Sequence, residues 1–304
     1  MLNLSGLTLG IFLLIGLGAL CRRLGLLKFE DRVALNNIII FIALPALIFT
    51  AAQRAPLTLS LVTISALALA ISLAGVAVGY GLAKLLRLQG PLFGAFLLAS
   101  GVGNTGYLGY PLTQALFGRT HLVKAVFYDI FGTVLVLFTI GIYFASKYGA
   151  AKDKAWRQGL TYAAPNLIAL VLGFATYGVR LPVPIGLAIN SLAGSTVAII
   201  MLSIGISLSG GVSRNRPAVA AITLLKLVLM PALALGFGVA LALPPIIAKV
   251  TLLQASMPIA LMSFVIGDKY ELDRDFLSGA ILASTVLSLV TIPLWQAVAP
   301  LLHM

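Results

Sequence analysis

Ten apolar runs fill this chain, at residues 3–20, 33–51, 57–83, 92–117, 122–146, 160–178, 184–208, 218–241, 245–267 and 276–299. A bilayer core takes about 20 apolar residues per helix, with some latitude for tilt. The gaps between the runs are short, so each helix must pack against its sequence neighbours, and no segment remains for a soluble domain. Composition points the same way. Hydrophobic side chains make up 61% of the residues and charged ones 9%, whereas a soluble domain carries about 25% charged residues. The sequence therefore predicts an all-α integral membrane protein whose solvent is the lipid bilayer. A net charge of +12 would suggest nucleic acid in a soluble chain, but the bases here lie in the gaps, so topology explains them and no nucleic-acid partner is expected. Cys21 alone cannot form an internal disulfide. His121 and His303 lack any metal-ligand spacing, and no GxxxxGK[ST] loop is present, so neither a metal nor a cofactor is expected. The first run has no basic residue before it and is read as a retained span rather than a cleaved signal peptide.

The bases also orient the spans. The gaps after spans 1, 3, 5, 7 and 9 hold Arg22, Arg23, Lys28, Arg32, Lys84, Arg87, Lys147, Lys152, Lys154, Arg157, Arg214, Arg216, Lys269 and Arg274. The opposite side holds Arg54, Arg119, Lys124, Arg180 and Lys249. Positively charged loops stay cytoplasmic, so a split of 14 to 5 places the odd-numbered gaps inside and both termini outside. The expected location is the plasma membrane, a bacterial inner membrane. The longest gap, 147–159, divides the chain into five spans (1–150) and five more (151–304). An odd number per half inverts the second half relative to the first, as in the inverted repeats of many secondary transporters.

Two spans read as interrupted. Span 4 contains Gly101, Gly103, Gly106, Gly109 and Pro111 within eleven residues, with Asn104 and Thr105 embedded among them. Glycine costs about 1 kcal/mol per interior helical position and proline about 3, so a break is expected here. In a membrane such a break must be buried in protein or line a cavity. Span 9 carries Gln254 and Pro258 at the matching place. Two interrupted helices meeting near the midplane would aim half-helix N-termini at an anion. By contrast, Gly6-xxx-Gly10 and Gly75-xxx-Gly79 are expected only to let helices pack closely.

The stretch GNTGYLGYPL at 103–112 resembles the fourth-helix signature of the auxin efflux carrier family, which includes plant PIN proteins and bacterial malonate or malate carriers. LPALIF at 44–49, LQASMPIA with the later GDKY at 253–270, and STVLSLVTIPLW at 284–295 extend the resemblance over nearly the whole chain. The resemblance implies a ten-helix fold related to bile acid/sodium symporters, with broken helices 4 and 9 crossing. It further implies a scaffold of helices 1, 2, 6 and 7, a mobile part of helices 3–5 and 8–10, and elevator-type alternating access. By the same resemblance Asn104 matches the substrate-contacting asparagine of PIN proteins and Pro258 the helix-nine crossover proline. PIN proteins have proline where this chain has Gly103, and the long hydrophilic loop of many plant members is reduced to 147–159. Both departures point to a bacterial-type carrier.

The expected substrate is a small organic anion, a carboxylate, with malonate, malate and auxin-like aromatic acids all open, held by Asn104, Thr105, Gly106, Pro111, Gln254, Met257 and Pro258, with Ile48 and Phe49 facing it after Pro45. Asp129 lies inside span 5, where a charge costs at least about 2.5–3.5 kcal/mol on insertion scales. It is either a proton-coupling acid or an acid hydrogen-bonded to the break in span 4. Lys226 lies inside span 8 and reads as a substrate or Asp129 counter-ion, or, the favoured reading, as a snorkelling or structurally paired side chain. Ser195, Thr196, Asn36 and Asn37 are polar without a distinctive pattern. In the acidic run 268–275, Asp273 or Asp275 is expected to cap span 10 rather than bind metal. Protons and sodium are both open as coupling ions, and a homodimer is compatible with the sequence. The competing classes are a membrane-embedded enzyme acting on a lipid or isoprenoid, and a channel or sensor; with a single embedded acid and no mid-membrane histidine, a carrier is preferred.

Overall fold

The computed structural model describes residues 4–28, 30–150, 156–207 and 215–299. The centre of the charged linker, together with Arg214 and His303, lies outside these residues. Among them the chain is helical, and its only extended pairing is an isolated antiparallel bridge between Gly103 and Ile259. In chain order the helices are α1 Leu4–Arg23, α2 31–53, α3 Leu59–Leu85, α4 Gly90–Ser100, α5 105–117, α6 Arg119–Tyr148, α7 Trp156–Ala175, α8 Val183–Ser207, α9 Arg216–Ala240, α10 Pro245–Ala255, α11 Leu261–Lys269 and α12 Arg274–Val298. Among the described residues six helical stretches are long and apolar enough to cross a bilayer: Val33–Gln53, Leu59–Leu85, Arg119–Tyr148, Val183–Ile206, Arg216–Ala240 and Arg274–Val298. Many large apolar side chains face outward as well as inward, and several polar ones are buried. Val171 and Leu294 are 65% and 60% exposed while Asn104 and Lys226 are 4% and 2% exposed, the distribution that a hydrocarbon solvent favours.

The chain forms two compact units, each assembled from several segments. The first comprises 1–59, 110–126 and 160–209. Its longest packing seam joins α1 to α8, where Gly18 and Gly205 let the two backbones touch: a Cβ on Gly18 would lie 3.0 Å from Leu202 Cα. Gly10, in contrast, has no neighbour within 4 Å of such a carbon, so the expected packing role of Gly6-xxx-Gly10 fails at Gly10, which faces open space. The polar residues of this unit tie helices together. Ser203 donates to Asn36 Oδ1 (2.7 Å), and Thr196 donates to Ala43 O (3.0 Å) and to Leu192 O (3.1 Å). Arg22 reaches the carbonyl of Ile206 (2.9 Å) in the last turn of α8, where orphan carbonyls and the helix dipole favour a cation.

The second unit comprises 60–109, 127–159 and 210–304. Its core is built around α4 and α12, with Phe96 stacked on Phe276 (5.8 Å between ring centres). Here Gly75-xxx-Gly79 does act as a packing surface. A Cβ on Gly75 would come within 2.9 Å of Ser100 O, and one on Gly79 within 2.7 Å of Ser100 Oγ. The end of α4 thus rests directly on α3. Asp273 caps α12 by accepting from Phe276 N (2.8 Å), as the sequence led one to expect, and Asp268 pairs with Arg274 across the same turn.

Among the described residues four helices contain five wider π turns, at 39–43, 105–109, 129–134, 137–141 and 225–229, two of them in α6. Three of these end two residues before a proline, at Pro45, Pro111 and Pro231. Proline offers no N–H to the carbonyl four residues back and its ring crowds that carbonyl. Widening the preceding turn relieves the clash without breaking the helix. Pro111 accordingly lies inside α5 rather than at a break, contrary to the sequence reading.

Candidate functional site

Both spans expected to be interrupted are interrupted, and their breaks meet inside the second unit. α4 ends at Ser100, residues 101–104 leave the helix, and α5 resumes at Thr105. α10 ends at Ala255 and α11 begins at Leu261. The backbone N–H of Asn104 donates to Pro258 O at 2.7 Å, next to the bridge between Gly103 and Ile259. Proline at 258, whose own N–H is missing, still presents its carbonyl to this pairing, and a Cβ at 103 would make only ordinary contacts, 3.4 Å from Met257 Cβ. Ser284 of α12 completes the join by accepting from Ile259 N (3.2 Å) while donating to Ile281 O (3.1 Å). Sequence reasoning did not single out Ser284, although the STVLSLVTIPLW stretch that begins with it carried part of the resemblance.

The resumed helix starts with a set of directed groups. The carbonyl of Asn104 accepts from Leu108 N (3.0 Å) and Gly109 N (3.1 Å), which closes the π turn at 105–109. The side-chain amide of Asn104 makes no hydrogen bond among the described residues, although the residue is only 4% exposed. Thr105 Oγ1 donates to the Asp129 carboxylate, so the acid of α6 lies at the N-terminal turn of α5. Gly106 leaves room for it: a Cβ there would sit 3.3 Å from Asp129 Oδ2. Gly132, one turn beyond Asp129, presses α6 on α3, where an added carbon would come within 2.9 Å of the Ala68 backbone. Of the two roles weighed for Asp129, the hydrogen bond to the break is observed.

Gln254 and Met257 are buried in the same unit, at 1% and 0% exposure, and Pro258 and Thr105 are buried beside them. The Gln254 amide lies over the backbone of Gly109, so close that a Cβ on Gly109 would be 2.9 Å from Gln254 Cδ. The structure therefore brings Asn104, Thr105, Gly106, Gln254, Met257, Pro258 and Asp129 into one unit. Ile48, Phe49 and Pro111 belong to the other, in α2 and α5; Ile48 is fully buried and Phe49 partly so.

Lys226 departs from expectation. It lies on the π turn 225–229 of α9 and is 2% exposed, so it does not snorkel to a surface. Among the described residues it makes no ion pair or hydrogen bond, with Asp129 or any other group. The turn that carries it is pinned from α12, because Trp295 Nε1 donates to Leu227 O (2.8 Å). That carbonyl is the one four residues before Pro231, and the proline cannot bond it.

A family model described as "Membrane transport protein" matches residues 5–161 and 153–296, nearly the whole chain. The chain belongs to the auxin efflux carrier family of membrane transport proteins. Its similarity to curated members runs end to end. An uncharacterized transporter of Methanothermobacter thermautotrophicus is 34% identical over 95% of this chain and 96% of its own length. One of Methanocaldococcus jannaschii is 30% identical over 94% and 95% respectively. A Rhizobium meliloti protein named "Putative malonate transporter" is 29% identical over 96% of this chain and 94% of its own. Membership in this family, with several helices able to span a bilayer, makes the chain a multi-pass membrane protein.

Proposed function

We propose that this carrier is a secondary transporter of small organic anions, most simply a short carboxylate, and that it binds its solute at the paired breaks of α4–α5 and α10–α11. The observation that carries the reading is Asn104. Its backbone is fixed to Pro258 at 2.7 Å, while its side-chain amide, in a residue only 4% exposed, makes no hydrogen bond among the described residues. Burying an amide without a hydrogen bond is unfavourable, and a solute carboxylate accepting from it would satisfy it. The Rhizobium relative's name favours the same substrate class. Thr105, Gly106, Gln254, Met257 and Pro258 are assigned to the same site.

The coupling group in this reading is Asp129. Its carboxylate already occupies the first turn of α5 through Thr105, the end at which a helix dipole favours an anion. Two like charges 4 Å apart repel by about 4 kcal/mol at the effective dielectric of a protein. A solute carboxylate at that turn is therefore accommodated when Asp129 takes a proton, which ties solute movement to proton movement. Lys226 is the buried amine of the same unit. The two compact units agree in most of their segments with the expected scaffold (spans 1, 2, 6 and 7) and moving part (spans 3–5 and 8–10). On that basis we assign an elevator-type exchange within a ten-span inverted-repeat architecture, with both termini outside a bacterial inner membrane.

The test is uptake of labelled malonate into proteoliposomes. Asn104→Ala should abolish saturable uptake and counterflow while leaving expression and thermal stability near those of the parent. Undiminished uptake by that variant would remove the site from this position.

A further inference from the structure

The end of the first unit that carries Arg54 and Arg119 has no acidic residue to balance them. Of the eight acids in the chain, seven fall in the gaps that contain most of the bases (Glu30, Asp31, Asp153, Asp268, Glu271, Asp273, Asp275), and the eighth is Asp129. The Arg54–Arg119 end is thus purely cationic, on the side where loop bases are disfavoured. These two arginines line a single cleft at the end of α2, together with Thr50, Gln114 and the apolar side chains of Leu47 and Leu122. Arg54 is held in place: Asn190 donates from Nδ2 to Gly186 O (2.7 Å), which turns its Oδ1 to accept from Arg54 Nη2 (2.9 Å). The guanidinium of Arg119 makes no hydrogen bond among the described residues. Gln114 keeps its side-chain oxygen buried without a hydrogen-bond partner.

Two guanidiniums on one cleft repel each other unless an anion lies between them. One neutral amide fixes the first guanidinium but leaves its remaining donors free, and planar forks of this kind suit carboxylate and phosphate oxygens. A ligand with an acid proton or hydroxyl beside its charged group would also satisfy Gln114. We propose that this cleft is an oxyanion-binding site, distinct from the Asn104 site, that takes either a soluble carboxylate or the phosphate of a lipid headgroup.

The experiment is calorimetric titration of malonate into the protein in nanodiscs of phosphatidylcholine alone and of phosphatidylcholine with phosphatidylglycerol. Arg119→Ala, whose side chain supports no other bond, should weaken one class of malonate binding about tenfold or more, and Asn190→Ala, which releases Arg54, should weaken it less. Asn104→Ala should leave this class intact, so a failure of the crossover reading would be seen separately. Binding that persists in both lipids assigns the site to a soluble anion. Loss of that class only with phosphatidylglycerol, and only when Arg119 is present, assigns it to a headgroup. Titrations of Arg119→Ala and Asn190→Ala that match the parent in both lipids would overturn the proposal.

Discussion

Asp129 and Gly109 show how much depends on single groups at the paired breaks. If Asp129 must be protonated before the solute enters, uptake by the parent should rise as the solution becomes more acidic. Asp129→Asn should flatten that dependence without removing binding, and a pH profile of malonate flux in both proteins is the measurement. Gly109 is sterically constrained by the buried Gln254 amide, so Gly109→Ala should displace that amide and lower stability by about 1–3 kcal/mol, the usual effect of overpacking. Gly10→Ala, with nothing nearby, is the matched control in a thermal melt. Asn104 and Pro258 could be found in the sequence because a polar residue among glycines and a lone proline both stand out in apolar runs. Lys226 was misjudged because sequence gives depth along a helix and not which side of it faces protein. Its burial is set by α12 packing on the turn it occupies, which no local pattern records.

At the scale of elements, the density of Gly and Pro correctly marked both interruptions but misplaced one edge. Pro111 was counted as a breaker, yet the turn before it widened and the helix continued. The same device recurs before Pro45 and Pro231, and the carbonyl that Pro231 leaves unbonded is taken by Trp295. Pro231→Ala should restore an N–H able to reach Leu227 O and so compete with the indole. In a Trp156→Phe background, which leaves Trp295 as the single tryptophan, its emission should shift, and amide exchange at position 231 should show protection. An unchanged spectrum and a rapidly exchanging amide would mean that the widened turn does not depend on the proline.

For the molecule as a whole, hydropathy was enough to read an all-helical membrane protein, because that follows from counting, and charge supplies the proposed orientation. The grouping into compact units was not legible in that way, since segments far apart in sequence join the same unit and no linker marks the change. Orientation is directly testable in a Cys21→Ser background. Glu271→Cys and Arg180→Cys both substitute exposed positions. An impermeant maleimide added to intact cells should label the cysteine at 180 and spare the one at 271, and the pattern should reverse in inside-out vesicles. Identical labelling of both from one side would refute the assigned topology.

Each π turn also carries a bookkeeping lesson for anyone drawing helical wheels. A wider turn holds an extra residue, so beyond Leu229, Gly109 or Ala43 the angular phase of every later side chain lags that of a straight helix. A projection drawn across such a turn assigns lipid-facing and protein-facing positions wrongly from there to the helix end. When relatives are aligned, a one-residue gap inside these turns signals a helix that has lost its bulge and regained ordinary periodicity.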